Sequence, residues 1–299
     1  MIDKAQSVLA RLKNKAAESG KSFQLCLQLF CQEEFLRRLA KSEYSGNFVL
    51  KGGLFIYSIT DFDSRVTADV DLLTRKIPNT PECIEKILGE IIEAETDNDY
   101  VIFEIKDIKT ISIDKKYSGV SASLVAQIKN TRTPFGIDFG FGDVIVPKCN
   151  KRKIPTQLGD FEPPEINTYS IETTIAEKLD AILYLMEFSS RMKDYYDIYY
   201  LANKFDFNGN ILTEALRKTF ENREHTFSIE QFNQVKYFDD DESMLKKWNA
   251  FCRKIKTTEK YKNILKTIDI FLTEPYSAAI SNDSFSKKWK SAENSWVED

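Results

Sequence analysis

A change of hydrophobic period near the middle of the chain constrains its fold more than any other feature. Between residues 48 and 146 apolar side chains come in short β-type runs, whereas beyond Ser170 they recur at spacings of three and four. A chain of 299 residues that switches in this way builds a mixed α+β first part and a helical second part, each long enough for its own core. The pattern predicts helices over 2–19 and 23–41 with Gly20 between them. A strand over 48–50 then ends at Gly52-Gly53, followed by a short helix and a loop to Thr67. Further strands are expected at 66–73, 100–113, 119–129 and 135–146, with a proline-opened helix at 81–94.

Residues 148–168 hold Lys148, Lys151, Arg152, Lys153 and three prolines without sustained periodicity, which reads as a boundary or hinge. The expected domains are therefore 1–165 and 166–299, the second with helices at 171–187, 190–204, 209–222, 242–256 and 260–273 and a loose polar tail.

Charge excludes some functions. With 42 Lys+Arg against 46 Asp+Glu the net charge is −4, so bulk positive charge does not hold this chain on nucleic acid, although a local basic groove is allowed. Five cysteines without a CxxC pair fit neither a stapled secreted domain nor a zinc ribbon, and are read as reduced thiols. The longest apolar runs, such as 181–186, fall far below the roughly 18 residues of a membrane span, and no export segment is read. The expectation is a cytoplasmic protein with no membrane partner.

The sharpest local feature is Thr67-Ala68-Asp69-Val70-Asp71-Leu72-Leu73. On a strand, Asp69 and Asp71 share one face, and two carboxylates so close are relieved by a cation or a shared proton. Magnesium suits all-oxygen ligation shared with substrate phosphates. The plainer reading is a solvated strand edge. In Ile137-Asp138-Phe139-Gly140-Phe141-Gly142 the large apolar residues alternate with Asp138 and two glycines. Glycine in a strand interior implies close approach to the backbone, or else a bulge and turn. Lys51-Gly52-Gly53 stands between a strand and a helix, where glycine amides and the helix N-terminus favour an anion. Most glycine pairs are simply turns.

The helical part adds Lys178, which a helical projection places between Ile182 and Leu185, with Glu177 and Asp180 on the wet side. Its stem snorkels past the core edge, or its ammonium meets phosphate or carboxylate in a cleft. Asp194 and Asp197 lie three apart on one helix side, either paired with Arg191 or Lys193 or projecting into the same cleft as Lys178. Met192, Tyr195, Tyr196 and Tyr199 make an aromatic face that reads as core. The single histidine, His225, lies in a charged stretch and reads as a surface residue, so histidine-assisted nucleophile chemistry is not expected.

Taken in order, Lys51-Gly52-Gly53, Arg65 to Leu72, Glu177-Lys178-Leu179 and Lys193-Asp194-Tyr195-Tyr196-Asp197 resemble the motif series of the AbiEii/AbiGii family of nucleotidyltransferase-like toxins, over residues ~45 to 205. The resemblance implies an α+β, polymerase-β-type nucleotidyltransferase-like mixed sheet with flanking helices, followed by a helical C-terminal domain that supplies Lys178 and Asp194 to the cleft. It implies an Mg²⁺- or Mn²⁺-dependent transfer of NMP from an NTP to an acceptor, the tRNA 3′ end in some relatives. The biological setting it implies is the toxin of a toxin–antitoxin or phage abortive-infection system, with a cognate antitoxin. Carried over, Gly52 and Gly53 form the triphosphate turn, Lys51 and Arg65 contact nucleotide phosphate, and Asp69, Asp71 and Asp138 bind metal. Lys178 holds triphosphate charge, and Asp194 is a further catalytic acidic residue that orients or deprotonates the nucleophile. Gly-Gly replaces the Gly-Ser of many nucleotidyltransferases, which removes a hydroxyl from the turn.

Other readings are a nucleotidyltransferase acting on a protein side chain and a degenerate fold that binds nucleotide or RNA without transfer. DxD also occurs in glycosyltransferases, but these lead with a nucleotide-binding strand–helix half that is absent before residue 48. A haloacid-type phosphatase places an apolar strand directly before its first Asp, where this chain has Arg65, Thr67 and Ala68.

Overall fold

The computed structural model describes residues 3–114 and 117–298; Ile2, where the first helix was expected to begin, lies outside them. The chain divides into two compact units, residues 1–142 with 150–169, and residues 143–149 with 170–299.

The first unit opens with α1 (Lys4–Ser19) and α2 (Phe23–Lys41), capped by Asp3 and Ser22 and separated by Gly20 at φ 67°. β1 (Phe48–Lys51) leads into α3 (Gly52–Ile59), β2 (Val70–Thr74) and α4 (Pro81–Ile92). The long strands β3 (Val101–Asp114), β4 (Tyr117–Ile128) and β5 (Thr131–Phe141) follow, then β6 (Asn150–Lys153) and β7 (Glu165–Thr168). These build one mixed sheet in the order β3-β4-β5-β2-β1-β7-β6, with β2–β5 and β1–β7 parallel. Alternation along β5 buries Phe135, Ile137 and Phe139, and Phe35 of α2 meets Phe103 and Phe135 edge-on. Gly136, Asp138 and Gly140 are left on the opposite face.

α2 also carries buried acidic groups. Both oxygens of Glu33 accept the Gln157 backbone N–H, at 2.8 and 3.0 Å, and burial pushes this carboxyl up to about 8 against that hydrogen bond and Arg37. Glu34 accepts from Arg37, Arg38, Thr96 and Asn98. A buried carboxylate survives only with such a complement of donors.

Two expectations are corrected here. The second strand begins at Val70 rather than 66, which leaves Asp69 in the bend before it. Lys51, the last residue of β1, pairs with Asp71, and Gly52 then turns the chain at φ 67° into α3, so residue 69 has no ladder partner on that side. Residues 150–153 and 165–168 are not a hinge but a hairpin at the sheet edge. All four residues of β6 are exposed, so no alternation marks it as a strand.

The second unit is helical, with α5 (Ile171–Leu185), α6 (Met192–Lys204), α7 (Gly209–Arg223), α8 (Ile229–Val235), α9 (Glu242–Ile255) and α10 (Tyr261–Ser281). The tail is ordered among the described residues. β8 (Phe207–Asn208), β9 (Lys288–Lys290) and β10 (Ser295–Val297) form a small sheet. Trp289 Nε1 donates to the Ala202 carbonyl at 2.7 Å, Trp296 Nε1 donates to the Phe271 carbonyl at 2.9 Å, and Trp289 is fully buried. Two tryptophans anchor a stretch whose average composition is polar. No helix among the described residues is long and apolar enough to cross a membrane.

Candidate active site

In the first unit the strand register, set by backbone hydrogen bonds, lines up four polar side chains across four strands. Lys51 of β1 pairs with Asp71 of β2, Asp71 with Asp138 of β5, and Asp138 with Ser121 of β4. Directly paired residues point to the same face, so Asp71 and Asp138 are neighbours about 4.8 Å apart across the parallel ladder. Both are half-buried, and Asp69 is exposed.

Glycines make room for this row. A Cβ on Gly52 would stand 2.0 Å from Asp71 Oδ2, and one on Gly136 would stand 2.8 Å from Asp69 Oδ1. At Gly53 it would stand 2.8 Å from the Thr67 Cβ. Gly52 also has φ 67°, so both its conformation and its neighbour exclude a side chain. At Gly52 and Gly136 the room is thus taken by the carboxylates of Asp71 and Asp69, whereas at Gly142, one of the two glycines from which space beside Asp138 was expected, a Cβ would meet nothing within 4 Å. α3 begins at this point with no side-chain cap, Lys51 being its N-cap residue. Its first amides and the positive end of its dipole therefore lie beside Gly52-Gly53.

Lys51 Nζ lies 4.9 Å above the ring of buried Tyr169 and donates to its hydroxyl at 3.3 Å. Arg65 is half-buried in the segment between α3 and β2. Among the described residues no three His, Cys, Asp or Glu side chains converge as a ready metal cage. The donor set nevertheless suits magnesium, which uses one or two carboxylates, keeps waters and takes its other oxygens from substrate phosphates.

The second unit holds Lys178 and Asp194. Lys178 Nζ lies 2.9 Å from Asp194 Oδ1 and 2.6 Å from Asp197 Oδ2, and Arg191 Nε lies 2.6 Å from Asp194 Oδ2. Of the alternatives left open by the sequence, Lys178 meets carboxylate, and the acid pair takes both Lys178 and Arg191. Burial alone would raise the Asp194 carboxyl, but Lys178 and Arg191 outweigh it and hold it at about 2. Of the expected aromatic core face, Met192 and Tyr195 are buried, Tyr195 against Tyr261, while Tyr196 and Tyr199 are half-buried.

Sequence reasoning missed a second cluster in this unit. Arg223 Nη1 lies 2.8 Å from Asp180, and Nη2 lies 3.6 Å from both Glu177 and Asp143. His225 Nδ1 is 2.8 Å from Asp180 Oδ1, and its ring stacks on Tyr184 at 4.6 Å. Asp180 is therefore buried rather than on a wet face, and His225 is packed rather than a bare surface residue. α5 is buried over most of its circumference, so a projection that assumes one dry stripe misplaces its charges.

Comparison with known proteins specifies the family. Residues 34–274 match the family described as nucleotidyl transferase AbiEii toxin, type IV toxin–antitoxin system; the chain belongs to this family, which implies an antitoxin partner. No functionally curated protein matches the sequence. Three solved structures share the fold. MenT4, the nucleotidyltransferase toxin Rv2826c of Mycobacterium tuberculosis H37Rv, aligns over 93% of this chain and 99% of its own, at 13% identity and a TM-score of 0.55. A candidate nucleotidyltransferase from H. pylori aligns over 88% and 100%, at 15% identity and a TM-score of 0.52. JHP933 from Helicobacter pylori aligns over 87% and 95%, at 14% identity and a TM-score of 0.50. The α+β fold expected from the sequence is the one found.

Proposed function

We propose that this protein transfers a nucleoside monophosphate from an NTP to the 3′ end of tRNA, with Mg²⁺ or Mn²⁺, as a cytoplasmic toxin of phage abortive infection. The observation that carries the reading is the in-register Asp71–Asp138 pair beside the glycine-cradled, uncapped start of α3. In phosphoryl transfer the protein mainly positions groups and neutralises charge, so these placements are the catalytic assets.

In this reading Asp69 and Asp71, with Asp138 beside them, hold the divalent ion. When bound, that ion supplies charge neutralisation at the α-phosphate and acidifies the attacking hydroxyl. The Gly52 and Gly53 amides receive triphosphate oxygens at the helix N-terminus, and Lys51 and Arg65 add positive charge. Lys178, a cation in this reading, offsets the charge of the leaving pyrophosphate. Asp194, held at about 2, is ionised at neutral pH and too weak a base to be matched to deprotonating a hydroxyl. Its role is to keep Lys178 charged and oriented. The exposed Arg152 and Lys153 of β6 support a polyanionic acceptor.

The test incubates purified protein with Mg²⁺, each α-labelled NTP, and total RNA or protein. Label on tRNA that disappears in Asp69→Ala and Lys178→Ala supports transfer, and growth arrest on expression lost with the same substitutions supports the toxin role. Label on protein redirects the acceptor, and nucleotide binding without label anywhere contradicts transfer.

A further inference from the structure

Asp69 stands at the end of residues 60–69, a segment without helix or strand, so something other than a ladder must place it. Two side chains of α2 do so. Gln28 Nε2 donates to the Ala68 carbonyl at 2.5 Å, and Gln32 Nε2 donates to the same oxygen at 2.8 Å. Four residues apart, the two amides project from one helix face and use both lone pairs of a single acceptor. The Ala68 carbonyl lies in the same rigid peptide plane as the nitrogen and Cα of Asp69, so fixing that oxygen fixes where the Asp69 side chain departs. At the other end of the segment Lys21 Nζ donates to the Phe62 carbonyl at 3.3 Å.

Gln32 is fully buried, and its Oε1 finds no hydrogen-bond partner among the described residues. A buried amide with an orphan oxygen is a poor choice for stability, and an apolar side chain of the same length would serve the core better. Its N–H is what the site uses. Both glutamines precede residue 34, where the match to the family begins.

We infer that Gln28 and Gln32 are positioning residues that clamp the Ala68 carbonyl and thereby set Asp69 for metal binding, an inference that rests on the proposed transfer reaction. Gln32→Met keeps the shape and removes the donor. It is expected to leave the thermal midpoint unchanged or higher, while lowering kcat and apparent Mn²⁺ affinity about 10- to 100-fold, with KM for NTP within about twofold. Gln28→Met should weaken the same two quantities, and Gln28→Lys, which retains a donor, should restore them.

Hydrogen exchange on the full-length protein reads the clamp without any activity. In the Gln28→Met/Gln32→Met protein, segment 60–70 should exchange roughly tenfold faster or more, while β4 and β5 keep their protection. If wild-type protein transfers label and the Met variants match it in kcat and metal requirement, the clamp is overturned and the function stands. If the wild type transfers nothing, the function fails and exchange decides the clamp: unchanged protection of 60–70 overturns it.

Discussion

Asp71 and Asp138 are placed by backbone, because the β1–β2–β5 register sets their Cα positions whatever their side chains do. Lys178, Asp194 and Asp197 are placed by one another, through ion pairs of 2.9 and 2.6 Å in a buried setting. The first arrangement sets two carboxylates side by side in partly open positions, with Lys51 next in the row, and suits the binding of a cation. The second balances Lys178 and Arg191 against two carboxylates, and each partner depends on the others remaining charged. A site carried by a sheet can therefore lose a charged group and keep its fold, while a site built from mutual ion pairs loses both together.

The largest expected effect tests that asymmetry from the sheet side. Asp71→Asn should reduce transfer about 10³-fold or more in a labelled-NTP assay while calorimetry still shows a folded protein, because the backbone ladder sets the register. A large drop in midpoint would mean that the carboxylate is structural.

From the helical side, Lys178→Met takes the ammonium away from two buried carboxylates, with Arg191 still beside Asp194, and should cost about 3–5 kcal/mol in a denaturant titration. Adding Asp194→Asn and Asp197→Asn should recover much of that loss without restoring transfer. A mild effect of the single substitution would contradict mutual dependence.

The pH response gives a smaller effect. Asp194 has its carboxyl depressed to about 2 in the fold, below its ordinary 3.8. Its stabilising contribution is thus present above pH 4 and is lost as pH falls toward 2, by about 2 kcal/mol. Acid unfolding followed by fluorescence should lose this part of its slope in Asp194→Asn. Glu33 in the first unit has the opposite sign: with its carboxyl pushed up to about 8, its ionisation works against the fold as pH rises from 4.5.

The smallest effect concerns the acceptor. Arg152→Ala with Lys153→Ala should weaken tRNA binding several-fold and lower the salt slope by about two, with NTP binding unchanged. An unchanged slope would reduce β6 to a charged sheet edge.

Much of the candidate site on the sheet is legible in the sequence, because strand alternation and glycine placement are local signals. Ile137-Asp138-Phe139-Gly140 announced its two faces, and Lys51-Gly52-Gly53 announced a turn into a helix. The sequence did not disclose that β2 starts one residue after Asp69, because on the β1 side the ladder ends with Lys51 opposite Asp71. Nor did it disclose the glutamine clamp, since Gln28 and Gln32 look like polar interruptions in an apolar helix until the Ala68 carbonyl is seen between them. β6 and the tail were misread for a related reason. An edge strand of four exposed residues has no alternation, and two tryptophans are diluted by polar neighbours. In α5 the partners of Asp180 come from Arg223 and His225, more than forty residues away, and no helical projection contains them.

The most direct test of the central claim is a crystal structure with Mn²⁺ and a non-hydrolysable NTP analogue, with the metal located by anomalous scattering. The account predicts a manganese peak on the Asp69 and Asp71 carboxylates and triphosphate oxygens on the Gly52 and Gly53 amides. Manganese bound elsewhere, or a triphosphate seated away from Gly52-Gly53, would contradict it.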